Sequence, residues 1–302
     1  MKNIKNKSLI SDLSLFLVAI IWGGGFIAVK DSVTLIPPFY QMAIRFSLST
    51  ILMAIIFFKY IKNIKKSDIK MGFIIGFFLF VGFAFQTVGI VYTTASKSAF
   101  LTATYVVLVP FFNWFIFKDK PDKYSIIGAI LCLIGIALLT LQSSTSINMG
   151  DLLTLLCGIG FAGQIITTGV YTKKSDPIIL TIIQFATAAI LSFLAAFFLE
   201  TPPHILNKAL VPSILYLVFF STMLCFIIQN IAQKYTSSTH AAIILSLESV
   251  FGSLLSIIIF KDNFTITMFL GCIFIFMSIL TTETKLSFIK KSSTNKCSLS
   301  ED

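Results

Sequence analysis

One arginine and one glutamate stand nearly alone as charges inside the apolar runs of this chain. Arg45 is the only arginine among 302 residues. It falls about six residues into an apolar run, roughly 9 Å along a helix. Glu248 is the one acid well inside such a run, about eight residues or roughly 12 Å from its start. A charge in hydrocarbon costs roughly 2.5–3.5 kcal/mol at mid-depth, so each needs a partner, a water-filled cavity or a route to the surface. Arg45 either snorkels outward with its head in water, or it holds a partner helix or a substrate carboxylate. Glu248 either makes a structural hydrogen bond or takes up and releases a proton. Their depths, counted from opposite faces, differ by about 9 Å in a core of roughly 30 Å, so a direct pair is not required.

Neutral polar groups extend the set. Gln86 and Gln229 carry amides that need partners in hydrocarbon; they bridge helices or line a path. Ser98, Thr102 and Tyr105 fall on one face of a helix. Ser246, Ser249, Ser253 and Ser256 form a second stripe, which fits close helix packing better than a pore. Trp22 lies roughly 20 Å along its run, too deep for an interfacial belt, where it could stack on a solute. Gly23, Gly24 and Gly25 beside it admit a neighbouring backbone or let the helix bend. The candidates for a substrate path are therefore Trp22, Arg45, Gln86, Tyr105, Gln229 and Glu248.

No catalytic, cofactor or metal set accompanies them. His204 and His240 lie at the ends of runs, and the spans hold no close carboxylate pair. Cys132, Cys157, Cys225, Cys272 and Cys297 form no close pair and read as small apolar packers. The glycine run follows no strand, so it is no phosphate loop, and ATP is not the expected energy source.

The elements that must position these residues are membrane helices. The chain is 56% hydrophobic and 12% charged, with a mean hydropathy of +0.93. Soluble domains carry roughly 25% charged residues. Long unbroken apolar runs exclude a β-barrel, whose segments alternate. Ten spans are expected, near 9–30, 37–58, 71–92, 96–117, 124–141, 151–172, 177–199, 211–233, 240–260 and 264–282, each about long enough for a core of roughly 30 Å. The first is too long for a cleaved signal segment and reads as a retained span. The net charge of +10 would suggest nucleic acid in a soluble protein. Here 18 of the 22 lysines fall in alternate loops and tails on one side and four on the other. The positive-inside rule then puts both termini in the cytoplasm of a multi-pass protein of the cytoplasmic membrane.

The chain also repeats itself. Residues 86–128 slide onto 229–271 at an offset of 143 with nine of 43 positions identical, among them Gln86/Gln229, Tyr92/Tyr235 and Asp119/Asp262. At an offset of 139, Asp12/Asp151, Gly24/Gly163, Pro38/Pro177 and Phe46/Phe185 match. At the 139 offset Gln184 takes the place of Arg45, and at the 143 offset Tyr105 takes that of Glu248. The chain divides into a first unit, 1–141, a second, 142–283, and a polar cytoplasmic tail, 284–302. Five spans is an odd number, so the second unit must enter the membrane from the opposite side.

At this point the residues resemble a known family. Trp22-Gly-Gly-Gly-Phe26, Pro38 with Arg45, Tyr92-Thr-Thr-Ala95, Pro110, Leu247-Glu248 and the glycines Gly128 and Gly271 are similar, in order and spacing, to ten-helix EamA-type members of the drug/metabolite transporter superfamily. The resemblance covers about residues 9–283. Two departures concern the substrate: Ser249 stands where the family often has proline after the glutamate, and Lys-Asp pairs (118–119 and 261–262) follow spans four and nine. The resemblance implies movement of a small metabolite, such as an amino acid, or of a drug. The expectation is an all-α integral membrane protein of two inverted five-helix repeats, a secondary transporter working by alternating access, with protons as a candidate coupling ion. The alternatives are an intramembrane lipid-modifying enzyme, or a receptor or scaffold that transports nothing.

Overall fold

A computed structural model describes residues 2–118, 120–140, 148–203, 208–260 and 265–284, and among them all regular secondary structure is helical. Asp119, His204, Lys261, Asp262 and the tail from residue 285 lie outside the described residues. The first half contains α1 (Lys2–Ser32), α2 (Pro38–Ile56), the single turn α3 (Phe58–Ile61), α4 (Lys66–Tyr92), α5 (Ala95–Thr102), α6 (Tyr105–Phe117) and α7 (Lys123–Thr140). The second contains α8 (Met149–Tyr171), α9 (Pro177–Leu199), α10 (Leu210–Leu215), a π-helical stretch (Tyr216–Leu224), α11 (Cys225–Ala232), α12 (Ser238–Leu245), α13 (Glu248–Phe260) and α14 (Ile266–Thr284). Among the described residues, eight stretches are long and apolar enough to cross a membrane. Two shorter apolar helices, Lys123–Gly135 and Phe269–Ser278, stand where the fifth and tenth spans were expected.

Local sequence sets the helix starts. Pro38 and Pro177, symmetry mates, occupy the first turns of α2 and α9, where a missing N–H costs nothing. Asn148 and Asp151 cap α8 reciprocally. Glu200 follows α9, and its two carboxylate oxygens accept from the backbone N–H groups of Phe39 and Tyr40 at 2.9 and 3.1 Å, tying the end of α9 to the start of α2. Partial burial pushes the Glu200 carboxyl above its ordinary range, against the pull of those two N–H donors.

Spans four and nine run as single stretches long and apolar enough to cross, Ala95–Ile116 and Ser238–Ser256, as the hydropathy predicts. Each carries a two-residue interruption of its α-helical bonding, at Ala103–Thr104 and at Ser246–Leu247, where the backbone stays right-handed helical. Those breaks are 143 residues apart, so they are one feature present twice. Hydroxyls add to the backbone bonding at each break: Thr104 donates to the Leu101 carbonyl, Ser246 to that of Ile243 and Ser249 to that of Ser246, each at 2.7 Å. Span eight also departs from a plain α-helix, through its π-helical middle.

The outer surface is greasy: Phe115, Phe197, Phe198 and Ile258 are all more than 70% exposed, as lipid-facing side chains are. The halves meet on aromatic rings. Phe46 lies 6.1 Å from its mate Phe185, and Phe83 lies 6.2 Å from its mate Phe226. Symmetry mates touch one another only at the axis that relates them, so that axis runs through this cluster. α7 and α14, also mates, pack along each other; Ser278 donates to the Gly128 carbonyl at 2.6 Å. Cys132, Cys157 and Cys225 are buried in the core as free thiols.

α1 is unbroken through its three glycines, which serve close approach and not a bend. A Cβ on Gly23 would lie 2.6 Å from that of Phe251 on α13, and one on Gly24 only 2.6 Å from the Tyr216 hydroxyl. On α13, Ser253 donates to its own helix at Ser249 and meets the Ser96 hydroxyl of α5 at 3.4 Å.

Candidate functional site

The two helix breaks, the glycines of α1 and the π-helical stretch converge on one buried cavity beside the aromatic cluster. Tyr105 and Glu248 are mates, and each opens the half-helix that follows its break. All six candidate residues, Trp22, Arg45, Gln86, Tyr105, Gln229 and Glu248, line this cavity. Its volume is about 40 Å³, space for only a few waters at ~10–15 Å³ each.

Much of the lining is symmetric. Trp22 and Phe161 are mates, as are Phe26 and Ile165, Phe83 and Phe226, and Gln86 and Gln229; all eight line the cavity. The chemistry lies where symmetry fails. Glu248 faces its mate Tyr105. Gln164 stands where the first half has Gly25. Gln229 therefore donates to Gln164 at 3.2 Å, whereas Gln86 donates to Thr102 at 3.1 Å. Gln184, the mate of Arg45, lies buried outside the lining, with no hydrogen-bond partner for either amide atom among the described residues.

Arg45 does not snorkel; it is 1% exposed. The reason is a set of inward partners that outer lipid could not offer. Its Nε donates to the Thr222 hydroxyl and its Nη2 to the Ser221 hydroxyl at 3.1 Å. Its guanidinium lies 4.5 Å from the centre of the Phe83 ring and 5.5 Å from that of Phe46, a contact worth about 2 kcal/mol when desolvated. Both hydroxyls come from the π-helical stretch. The same stretch offers the Ser221 carbonyl to the Trp22 indole N–H at 2.8 Å and the Val218 carbonyl to Ser49 at 3.2 Å. Trp22 is thereby fixed, its ring 5.1 Å from that of Phe226.

No carboxylate lies within ion-pair distance of Arg45, and no cation within that distance of Glu248, among the described residues. The Tyr105 hydroxyl approaches the Glu248 carboxyl without reaching hydrogen-bonding geometry. The cavity thus holds a cation satisfied by neutral hydroxyls and, separately, an acid beside a phenol. It can receive an anionic group at one place and a donor or a proton at another.

Ser221, Thr222, Gln164 and the Phe83/Phe226 pair escaped the sequence reading. Phe83 and Phe226 match at the 143 offset, three residues before the matched stretch begins, so extending it would have found them. A π-turn leaves no comparable mark in sequence.

Comparisons with known proteins agree with this architecture. Two regions, 9–141 and 148–284, match the profile of the EamA-like transporter family. A protein of Archaeoglobus fulgidus named an uncharacterized transporter is 37% identical over 274 residues, covering 91% of this chain and 86% of that one. YetK of Bacillus subtilis, also named an uncharacterized transporter, is 24% identical over 278 residues, 86% of this chain and 82% of its own. A crystal structure with 14% identity superposes with a TM-score of 0.76 over 92% of this chain and 98% of the other, which establishes a shared fold. With both halves matched and a full-length relative at this identity, the chain belongs to the EamA-like transporter family of the drug/metabolite transporter superfamily.

Proposed function

We propose that this chain is a secondary transporter of the cytoplasmic membrane, moving a small organic solute by alternating access between two inverted five-helix repeats. The observation that carries the reading is the cavity's position: it lies on the axis between the halves, at matched helix breaks, lined by symmetric pairs of residues. The interface between inverted repeats is where transporters of this construction hold their solute.

Cross-ties between loops support the inverted topology. Ser175 donates to Asp68 at 2.8 Å, and Asp12 pairs with His240 at 3.6 Å. Asn148 donates to the Tyr92 carbonyl at 3.0 Å, and Glu200 accepts from Phe39 at 2.9 Å. Each tie joins positions that the lysine alternation places on one face, cytoplasmic for the first two and external for the others. Both termini are then cytoplasmic. The shorter apolar helices Lys123–Gly135 and Phe269–Ser278 serve as the fifth and tenth spans.

Arg45 recognises an anionic group of the solute, because its present partners are neutral and leave its charge unmatched. Gln86 and Gln229 supply amides on either side, and Trp22 with the phenylalanines supplies apolar walls. An amino acid-like metabolite or a drug carrying an acid group fits that chemistry. Glu248 is the proton-coupling group, since no cation holds it ionised. The test is uptake and efflux of a metabolite panel in vesicles reconstituted with the protein, with and without a pH gradient. Movement of an acidic or zwitterionic solute that responds to the gradient is expected; no movement of any solute would end the reading.

A further inference from the structure

Two ion pairs lie outside the cavity lining, and the repeat maps one onto the other. Lys97 Nζ meets Asp151 Oδ2 at 2.5 Å, with both side chains buried. Subtracting 139 from Asp151 gives Asp12, and adding 143 to Lys97 gives His240. Asp12 and His240 are themselves paired, His240 Nε2 to Asp12 Oδ1 at 3.6 Å, both partly exposed. Each pair joins the first helix of one repeat to the fourth span of the other.

The pairs sit at opposite ends of the molecule. Lys30, near the end of α1, donates to the carbonyls of Ile90 and Thr93 at 2.7 Å each, and the Thr93 hydroxyl donates to Asp151 at 2.7 Å. Asp12 lies 18 residues earlier on the same helix, about 27 Å away.

Their surroundings differ in a consistent direction. Beside Lys97–Asp151 the backbones of α4 and α8 touch: a Cβ on Gly150 would lie 2.6 Å from the Gly89 carbonyl and 2.8 Å from the Tyr92 side chain. The mates of Gly150, Gly89 and Tyr92 are Ser11, Ala232 and Tyr235. Those three line an open cavity of about 220 Å³ between α1 and α11. One end is sealed and its counterpart is parted.

We propose that Lys97–Asp151 and Asp12–His240 are the two gate latches of the transporter, of which one tightens as the other releases. This rests on the alternating-access reading and adds to it which residues hold each gate. The structure is then the state closed at the Lys97 end and opening at the His240 end. Lysine carries its charge throughout, whereas histidine carries one only when protonated, so the second latch is the weaker by composition as well as by distance.

The test labels Ser14→Cys, in the wall of the 220 Å³ cavity, with a membrane-impermeant maleimide in the reconstituted protein. Cys272 and Cys297 are replaced by serine in every variant, and the remaining native cysteines, Cys132, Cys157 and Cys225, are buried and give a low background. Adding His240→Lys copies the tight latch and should slow labelling roughly fivefold or more, the lower end of couplings between distant sites. Adding Asp12→Asn should leave labelling as fast as in Ser14→Cys alone, or faster. Lys97→Arg, which keeps the charge of the other pair and leaves the Asp151 cap of α8 in place, should keep the cavity as reactive as in Ser14→Cys alone, which guards against an effect of misfolding. Equal labelling in the His240→Lys and Asp12→Asn variants overturns the latch, whether or not the vesicles transport. Labelling that shifts as expected in vesicles that move no solute keeps the latches and overturns the transport reading.

Discussion

Replacing Arg45 with lysine keeps a positive charge but removes the group that three contacts depend on. The guanidinium donates from Nε to Thr222 and from Nη2 to Ser221 while its face lies on Phe83. An ammonium on a flexible stem is a point donor and cannot bond in two fixed directions while stacking on a ring. A hydrogen bond involving a charged group contributes about 1.5–3 kcal/mol. If the solute's acid group meets the guanidinium in two prongs, lysine forfeits one of them. That loss corresponds to roughly a 10- to 150-fold weaker Kd. The assay is the concentration dependence of uptake into vesicles, using the acidic solute that the panel selects. Thermal unfolding in detergent alongside it establishes that the variant is folded. A folded Arg45→Lys protein with wild-type affinity would refute the assignment of Arg45 to solute recognition.

Glu248→Gln should abolish the dependence of transport on a pH gradient while solute still equilibrates, as measured by uptake with the gradient collapsed; unchanged gradient dependence removes Glu248 as the coupling group. Gly25→Val should block uptake in a correctly inserted protein, because its Cβ would lie 2.9 Å from the Ser221 hydroxyl at the cavity wall; normal uptake would place the path elsewhere. Glu200→Ala removes two acceptors at the start of α2 and should lower stability by about 0.5–2 kcal/mol, nearer the lower figure because solvent reaches Glu200; an unchanged midpoint in detergent would deny it a capping role. The raised Glu200 carboxyl also carries a sign: the folded state holds this proton more tightly, so that stability is present below the ordinary value of 4.5 and is lost as pH rises through the raised one. Glu200→Gln should flatten that part of the stability–pH curve.

The cavity was legible in the sequence because its members break the pattern around them. Arg45 and Glu248 are charges in apolar runs, and Gln86 and Gln229 are amides repeated at a fixed offset. The structure brings these four together with Trp22 and Tyr105, although no two of them are closer than 19 residues in sequence. The helix interruptions were not legible. Ala103 and Thr104 sit in a run whose hydropathy is continuous, and hydropathy reports depth in lipid without reporting the pattern of backbone bonding. The partners of Arg45 were hidden for a similar reason. Ser221 and Thr222 are two small hydroxyls in a greasy span, and only the wider π-turn brings both toward the guanidinium. The snorkelling alternative for Arg45 failed because sequence gives the depth of a charge and not the direction it faces. The Lys97–Asp151 pair needed both offsets at once, since its partners belong to different halves.

The tightness of the central cavity has a consequence for the cell's energy supply. A membrane under 100 mV drives each free charge with about 2.3 kcal/mol, and a continuous thread of water through any protein would short that supply. The central cavity, at about 40 Å³, has space for only a few waters, and the sealed contact of Gly89 with Gly150 stops such a thread at one end. An idle copy in this shape is an insulator, so many copies can reside in one membrane without draining its voltage.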